Sequence, residues 1–569
     1  MYFIILKDLK FYEDIWGYFI NLNYQGVVMK KSEMMITLGD INVPSPKNYV
    51  YPDSVVLKNK YGIMDLREFE ERMAHDTSKE TVNILEEPAP ERFDSSYLKY
   101  LHKRLFQHAL EWAGCTRDVP FTLSDGTNVV MPSMAKSDSD FGFAFGPQIK
   151  EGLDFIDQKL AEKNYLRGLS REEFVHDAAR IFGSINYIHP FREGNGRVQR
   201  LFFVKLARSV GYKLDFSATT TKRMTYVSVE VTKNAYMEPL QHLFEDISNP
   251  EKARILKQFI RKAKEDNIFD ASEKLITVAR EGETYKGIGK FLASDFIVIE
   301  AGDTCILSNK DSIAPEQLRT FKLGSDFIFT ALDTKELKEI FIPEEKLAAL
   351  REDEMIEKIL ECSSVREQRD KIQHCARFIY GRSDKLNEII NMIDMDPNLG
   401  EIFSEQIMAC CDNKKYFINK KVKTTNESVC KLSNEIKNYA NIVEDSRNQI
   451  LKEYKERQKR CGQVVKMPSK EVQCILDMPE DMREESLKSR SLSFLNESIS
   501  DFIIKVNSRL SPRECKAIND NNYEELAKSI SVSESKAKAI IKTIGEVKEI
   551  QKKIRVLRAN ALKVPAIAC

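Results

Sequence analysis

Apolar residues recur every three or four positions in two stretches that flank a short polar segment. Arg171–Tyr187 has this helical spacing, and so does Val198–Val210, which Gly211 can end. Between them lies His189–Arg200, with the sequence HPFREGNGRVQR. The pattern predicts two helices joined by a tight loop whose glycines lead into the second helix.

Upstream of this pair, the pattern predicts further helices and one hairpin. Asp94 or Ser95 can cap a helix that runs through Trp112. Val119–Met131 alternates apolar and polar residues around an Asp-Gly dipeptide, which is typical of a β-hairpin. Gly152–Lys163 is again helical.

Downstream, the period of the pattern changes. Residues 248–271 predict a polar connecting helix, and from Leu275 the alternation has period two, in the segments LITVARE, FIVIEAG, CILSN and FIFTA. Short strands at this spacing predict a small barrel or sandwich. The region lacks basic residues interleaved with aromatics, so we expect a structural spacer and no nucleic acid.

From about Glu336 the chain is charged and helical. The apolar stripe Leu432, Ile436, Tyr439, Val443, Ile450 and Tyr454 predicts one helix of roughly ten turns. Amphipathic segments follow at Lys470–Leu476, Ser491–Leu510 and Tyr523–Ala559, and such helices with short connections form a bundle.

Composition narrows the class of protein. The 569 residues predict several domains, and a formal net charge of zero gives no electrostatic reason to expect nucleic acid or membrane. No apolar run reaches the roughly 18 residues of a membrane span, and the start lacks the features of a signal peptide. The 11 cysteines have no zinc-ligand spacing, so we expect reduced thiols and no structural metal.

The loop between the two helices carries the parts of an anion site. Gly194 and Gly196 tolerate positive φ and leave room for close approach, and successive N–H groups in such a turn form a nest at the helix start. Arg197 and Arg200 share a face of the first helical turn. Two guanidinium groups beside a nest suit a polyphosphate.

Two other side chains add chemistry to this site. His189 is the nearby group that exchanges a proton near neutral pH. Glu193 adds negative charge, which fits a phosphate site if Mg²⁺ lies between the carboxylate and the phosphates. A base, a metal ligand and phosphate clamps together favour phosphoryl or nucleotidyl transfer.

The segment resembles the signature of Fic-domain enzymes, HxFx(D/E)GNGRxxR, and matches it at every specified position. The resemblance implies that His189 deprotonates a target hydroxyl, which attacks the α-phosphate of ATP. The product is an AMP-modified Ser, Thr or Tyr on another protein, plus pyrophosphate. Phe191 would anchor the loop, and Glu193 would hold Mg²⁺. The phosphates would be bound by Gly194, Asn195, Gly196, Arg197 and Arg200.

In Fic enzymes a flap covers the nucleotide, and its exposed strand pairs with the backbone of the target. The segment KSDSDFGFAFG resembles that flap, with Phe141 or Phe143 holding the flap or the target. The resemblance implies nucleotide contacts from Lys136, Ser137, Asp138 and Ser139.

Thr277–Gly282 reads TVAREG and matches the pattern of an inhibitory helix that blocks Fic active sites. Its surroundings have the alternation of a strand, so we interpret this match as a coincidence. We therefore expect any restraint to come from a separate small antitoxin-like protein acting in trans.

The order of regions resembles the Bartonella effector proteins, especially their A-type member, which combine a Fic domain, an oligonucleotide-fold (OB) barrel and a BID delivery bundle. The fold class is then multidomain and mainly α: an all-helical Fic domain with a β-hairpin flap, a small OB-like β-barrel and a C-terminal helical bundle. The predicted boundaries are 1–47 unassigned, 48–247 Fic domain, 248–272 connecting helix, 273–333 OB-like domain, 334–551 BID region and 552–569 basic tail.

By this resemblance, a type IV secretion machinery moves the protein from the bacterial cytoplasm into a host cell, through its BID region and tail. The implied target is a host protein, with small GTPases as the class that the family suggests, and the host plasma membrane is a further implied partner. Two alternatives stay open. One is an interaction effector that acts through its BID region, and the other is a Fic transferase with a different phosphate-linked donor.

Overall fold

The computed structural model describes residues 45–135, 142–266, 274–333, 337–382, 384–412, 426–488 and 492–563. The chain divides into two compact units. The first is the described part of Met1–Ala279 together with Val298–Leu307, and the second is the described part of Arg280–Ile297 and Ser308–Cys569. Both are built mainly of helices, as the sequence predicts.

In its described residues the first unit has eight α-helices. They are α1 Leu66–Glu86, α2 Ser95–Phe106, α3 Pro147–Glu162, α4 Arg171–Ile188, α5 Asn195–Ser209, α6 Thr221–Asn234, α7 Glu238–Ser248 and α8 Pro250–Glu265.

Helix α4 is the centre of this unit. Ser170 and Glu173 begin it with a capping box, in which each side chain accepts a hydrogen bond from the backbone N–H of the other residue. The helix contacts α3, α5, α6 and α7, and most of its side chains are buried. The predicted pair of helices around the polar loop is confirmed as α4 and α5, with Gly211 at a φ of +86° just beyond α5.

Helix α2 is shorter than predicted. Asp94 caps it as expected, but the helix ends at Phe106 and not at Trp112. After Phe106 the chain folds back, since Gly114 lies so close to α2 that an added Cβ would be 3.0 Å from the Cβ of Lys103. This tertiary contact ends the helix where the local pattern would continue it.

The predicted hairpin is confirmed. Strand β1, Phe121–Thr122, pairs antiparallel with β2, Asn128–Val129, and Gly126 takes a φ of +81° in the turn. The Lys58 ammonium lies 2.7 Å from the Asp125 carboxylate and fastens this turn to the preceding segment.

Helix α8 differs from the polar connecting helix expected for residues 248–271. The helix is rich in charged residues but has a narrow apolar stripe along one face. Ile255, Leu256 and Phe259 of this stripe are fully buried in the first unit. The helix therefore belongs to the packed core of that unit.

The β region contains β3 Leu275–Val278, β4 Thr284–Leu292, β5 Phe296–Ala301, β6 Thr304–Asn309 and β7 Asp326–Thr330. Within the first unit, β3 is parallel to Thr304–Leu307 of β6, and within the second unit, β4 is antiparallel to β7. Strand β4 was missed because Gly287 and Gly289 interrupt its alternation. Thr277 lies on β3, as the interpretation of TVAREG as a strand requires.

In its described residues the second unit has twelve α-helices and the short antiparallel strands β8 Ile340–Ile342 and β9 Val465–Lys466. The helices are α9 Pro315–Leu318, α10 Glu352–Glu361, α11 Ser363–Tyr380, α12 Asn387–Met395, α13 Leu399–Asp412, α14 Asn426–Cys461, α15 Lys470–Leu476, α16 Glu480–Lys488, α17 Leu492–Arg509, α18 Pro512–Asn519, α19 Tyr523–Ile530 and α20 Glu534–Lys563.

These helices form two apolar cores. One surrounds α14, whose 36 residues confirm the predicted ten turns, and fully buries Leu432, Ile436, Tyr439 and Val443. The other is built from α15–α20 together with β8 and β9. The segment predicted as Tyr523–Ala559 breaks into α19 and α20, because Ser531 adopts a φ of +53° between them. Among the described residues, we find no helix with both the length and the apolar character needed to span a bilayer.

Candidate functional site

The loop between α4 and α5 begins and ends in the left-handed region. His189 follows α4 with φ +47° and ψ +59°, and Gly194 precedes α5 with φ +84°. A residue with a side chain adopts this conformation at a cost of about 1–2 kcal/mol, so surrounding contacts must hold His189 in place.

Glycine is required at position 194 for two reasons. Its φ is positive, and an added Cβ would lie 2.3 Å from Cζ of Phe106. The same close approach brings the loop down onto α2. At Gly196, an added Cβ would lie 3.1 Å from an Nη atom of Arg200, so the bare backbone leaves room for that guanidinium. No side chain caps the start of α5, which leaves its first N–H groups to an anion.

Asn195 braces the loop from inside. Its side-chain Oδ1 accepts a hydrogen bond from the Phe191 N–H at 3.0 Å, and its Nδ2 donates to the Phe191 carbonyl at 2.7 Å. Both residues are buried. Asn195 can therefore contribute to an anion cradle through its backbone, while its side chain fixes the shape of the loop.

His102, on α2, supports the loop from below, a role that the sequence did not reveal. Its ring stacks on Phe191 with centroids 3.9 Å apart. The Gly114 N–H donates to Nδ1 at 2.7 Å, so Nε2 carries the hydrogen and donates to the Glu193 carbonyl at 3.0 Å. Burial lowers the pKa of His102 to about 4, which keeps the ring neutral and holds this tautomer.

The charged side chains of the loop face one another. An Nη atom of Arg197 lies 3.1 Å from a carboxylate oxygen of Glu193, and the guanidinium lies 4.7 Å from the ring centroid of Phe106. Burial and then the nearby charge of Arg197 lower the pKa of Arg200. Two cations beside an uncapped helix start make a site that attracts a multiply charged anion.

One described end of the predicted flap contacts His189, through Phe143. Ala135 and Gly142 form an antiparallel bridge, and the Phe143 ring stacks on the His189 ring with centroids 3.8 Å apart and an interplanar angle of 11°. Phe143 is thus one of the two aromatic residues expected to hold the flap. Phe141 and the predicted nucleotide contacts Lys136, Ser137, Asp138 and Ser139 lie outside the described residues.

The geometry brings together an imidazole, an anion cradle, two guanidinium groups and one carboxylate. Such a set suits transfer of a phosphate-linked group, because the cradle and cations bind the leaving phosphates while the imidazole takes a proton from the acceptor. Within the described residues, no group of three or more His, Cys, Asp or Glu side chains forms a metal site. A metal held jointly by Glu193 and phosphates would not need such a group.

Comparisons of the sequence with a family profile and with a protein of known activity point to the same chemistry. The Fic/DOC family profile matches residues 92–207. A protein adenylyltransferase of Bartonella henselae is 41% identical over 533 residues, which cover 92% of this chain and 97% of that protein. The solved structure of the type IV secretion system effector protein BepA is 47% identical, covers 52% of this chain and 99% of that chain, and has a TM-score of 0.48. The BID domain of Bep6 from Bartonella rochalimae is 32% identical, covers 21% of this chain and 95% of that chain, and has a TM-score of 0.20.

The neutral state of His102 predicts a pH dependence of stability. Between about pH 6.5 and pH 4 the unfolded state binds a proton that the buried ring of the folded state refuses, so His102 makes the first unit less stable as the pH falls. We expect this loss to reach about 3 kcal/mol at pH 4. A His102→Gln variant has no such titrating ring, so its free energy of unfolding lacks this pH-dependent loss. The amount by which the parent is more stable than the variant should therefore fall by about 3 kcal/mol from pH 7 to pH 4.

Urea unfolding followed by tryptophan fluorescence measures this, because Trp112 is buried in the first unit. His108→Gln, at an exposed position, is the control and should parallel the parent at every pH. A constant difference between parent and His102→Gln would contradict the assignment of a neutral, buried ring.

Proposed function

Since this chain belongs to the Fic family and is a protein adenylyltransferase, we propose that the loop His189–Arg200 carries out its transfer of AMP from ATP to a hydroxyl side chain of a host protein. The observation that carries the proposal is the loop geometry. A left-handed histidine and the glycine-led start of α5 stand five residues apart, so one short segment can hold both the acceptor and the phosphates.

His189 is the proposed general base. Its imidazole takes the proton of a Ser, Thr or Tyr hydroxyl, and the freed oxygen attacks the α-phosphorus of ATP. The bond from that phosphorus to the oxygen bridging to the β-phosphate breaks, and pyrophosphate leaves. The stacking of Phe143 on the imidazole and the left-handed backbone of His189 support this role, because both fix the direction of the ring.

The leaving pyrophosphate is the proposed ligand of the helix start. The backbone N–H groups of Gly194, Asn195 and Gly196 cradle its oxygens, and Arg197 and Arg200 bind the β- and γ-phosphates. Charge that develops on the bridging oxygen is stabilised by groups already in place. The grip of two arginines on the β- and γ-phosphates favours ATP over donors of other phosphate-linked groups.

Glu193 is the proposed ligand of Mg²⁺. Its side chain is 38% exposed and belongs to the anion site, so it can reach a cation shared with phosphate oxygens. The residues fit this use, because Mg²⁺ commonly takes one or two carboxylates together with substrate phosphates. When bound, the ion would neutralise phosphate charge, and Glu193 would then give up its ion pair with Arg197.

The flap is the proposed docking strand for the target. The antiparallel bridge between Ala135 and Gly142 supports an extended conformation at its base. A target segment that adds to such a strand is bound through its main chain, so its register and not its sequence brings a hydroxyl to His189. The nucleotide contacts proposed for Lys136, Ser137, Asp138 and Ser139 belong to this same segment.

Delivery is assigned to the second unit. We propose that its C-terminal helices act as a BID domain recognised by a type IV secretion machinery, with the basic end of the chain as part of the signal. Lys552, Lys553, Arg555 and Arg558 continue α20, and the sequence of residues 552–569 contains no Asp or Glu. The proposed partners are a host protein of the small GTPase class, an inhibitory antitoxin-like protein in trans and the host plasma membrane.

A second function has its own support. Four large apolar side chains on α11, α12 and α13 are about half exposed or more, namely Phe378, Met392, Met395 and Ile402. Exposed apolar residues mark a protein–protein surface where they form a contiguous patch. We propose as the alternative that the second unit binds a host signalling protein through these helices, with AMP transfer secondary to the effect in the host.

Replacing His189 by alanine should abolish transfer and leave ATP binding within about threefold of the parent, because it removes the base and none of the phosphate ligands. Labelling of proteins in a eukaryotic cell lysate by α-labelled ATP measures transfer, and calorimetry with Mg-ATP measures binding. His108→Ala, an exposed histidine in the same unit, is the matched control and should label like the parent. Equal labelling by His189→Ala would rule out the role of the base. If the effect of the protein on host cells persists after the substitution, that effect is caused by the second unit and not by AMP transfer.

Replacing Arg200 by alanine should reduce the preference for ATP over ADP by roughly tenfold, because it removes a ligand of the γ-phosphate. Competition of ADP against ATP in the same labelling assay measures this preference. Arg208→Ala, at the other end of α5, is the control and should keep the preference of the parent. If Arg200→Ala discriminates the two nucleotides as the parent does, the assignment of Arg200 to the γ-phosphate is wrong.

A further inference from the structure

Arg117 is a buried cation outside the family signature. It lies between α2 and the hairpin, and its side chain is among the largest that are fully buried. A guanidinium has five N–H donors, and all five have a main-chain carbonyl acceptor here. Those carbonyls belong to Met131, Pro132, Ala144, Ile188 and His189.

The geometry of these hydrogen bonds is specific. Nε donates to the His189 carbonyl at 2.8 Å. One terminal nitrogen donates to the carbonyls of Met131 and Pro132 at 3.0 and 2.8 Å. The other donates to the carbonyl of Ala144 at 2.5 Å and to that of Ile188 at 3.4 Å. A lysine could reach only part of this set, since its three donors radiate from a single nitrogen.

The five carbonyls come from three separate segments. Ile188 and His189 are the end of α4, where a helix leaves carbonyl groups unpaired and favours a cation. Met131 and Pro132 lead from the hairpin into the flap, and Ala144 is on the return side of the flap, next to Phe143. The backbone of Arg117 adds two bonds, donating to Pro190 at 2.8 Å and accepting from Met131 at 2.6 Å.

Burying the Arg117 guanidinium costs desolvation free energy, which a purely structural role would not require. None of the five acceptors is a carboxylate, and burial lowers the pKa of Arg117 to about 10, although the nearby Asp118 acts in the opposite direction. A charged group that is buried among uncharged acceptors is rare in protein cores unless every donor is satisfied. Its acceptors are instead the backbone of the proposed base and both sides of the flap.

We propose that Arg117 is a positioning residue that fixes the left-handed backbone of His189 and the two sides of the flap in one register. The proposal rests on the proposed function of His189 as the base. A target strand bound to the flap would then present its hydroxyl at a set place relative to the imidazole. Arg117 touches neither nucleotide nor target, so its effect is on the rate of transfer and not on the binding of ATP.

The test uses the full chain and the variants Arg117→Lys and Arg117→Gln. Lysine keeps the charge, whereas glutamine keeps two donors without burying an unmatched charge, so at least one variant should fold. Arg223→Lys is the matched control. Arg223 is also buried in the first unit, but it pairs with Asp246 at 2.8 Å and with the Ile276 carbonyl, away from the loop.

Three measurements are made on each protein: thermal unfolding, the dissociation constant of Mg-ATP by calorimetry, and the rate of AMP transfer from α-labelled ATP to proteins of a eukaryotic cell lysate. We expect both Arg117 variants to bind Mg-ATP within about threefold of the parent and to transfer AMP at least about tenfold more slowly at saturating ATP, because small misplacements of reacting groups cost this much. Arg223→Lys should transfer at the rate of the parent, corrected for any loss of folded protein.

A folded Arg117 variant that transfers at the rate of the parent would overturn the proposal. So would a loss of transfer that merely follows weaker ATP binding, or one that Arg223→Lys reproduces at equal thermal stability. These outcomes are separate from a failure of the proposed function, which would appear as labelling by His189→Ala. Histidine-selective NMR adds a direct readout. The His189 resonance is identified as the one that is missing from the spectrum of His189→Ala. It should shift in Arg117→Lys and keep its position in Arg223→Lys.

Discussion

The site depends on one constraint, which is that α4 must stop in a left-handed conformation at a residue with a side chain. His189 takes this conformation because its neighbours hold both its carbonyl and its ring, through Arg117 and Phe143. If α4 continued for one more turn, the imidazole would rotate away and the loop could not reach α5. The local strain is thus the feature that places an acid–base group beside an uncapped helix start.

The loop is rigid for reasons unrelated to charge. Gly194 lies against the Phe106 ring, Asn195 closes a ring of hydrogen bonds with Phe191, and His102 joins Glu193 to the turn after α2. These buried contacts do not involve the charged ends of Glu193, Arg197 and Arg200. A neutral scaffold that carries partly exposed charges suits a phosphate site, since its charges must be in place before the substrate arrives.

The sequence was informative where the structure is local. The two helices and their loop follow from a 3.6-residue period of apolar residues, from Gly194 and Gly196 in the loop and from Gly211 at the end of the second helix. The hairpin follows from its Asp-Gly dipeptide. The sequence was uninformative where a feature depends on contacts between residues far apart in the chain. His102 lies 91 residues from Glu193, and Arg117 lies 72 from His189, so no periodicity marks either. The same holds for the early end of α2 and for β4, where Gly289 lies so close to another segment that an added Cβ would be 2.5 Å from the Lys322 carbonyl.

The measurement that tests the central claim most directly is a crystal structure of the full chain with Mg²⁺ and a non-hydrolysable ATP analogue. We expect the β- and γ-phosphates at the first N–H groups of α5, beside Arg197 and Arg200, with the α-phosphorus facing the His189 imidazole across a gap wide enough for a hydroxyl. A nucleotide bound elsewhere, or one whose α-phosphorus points away from His189 while the loop keeps its conformation, would contradict it.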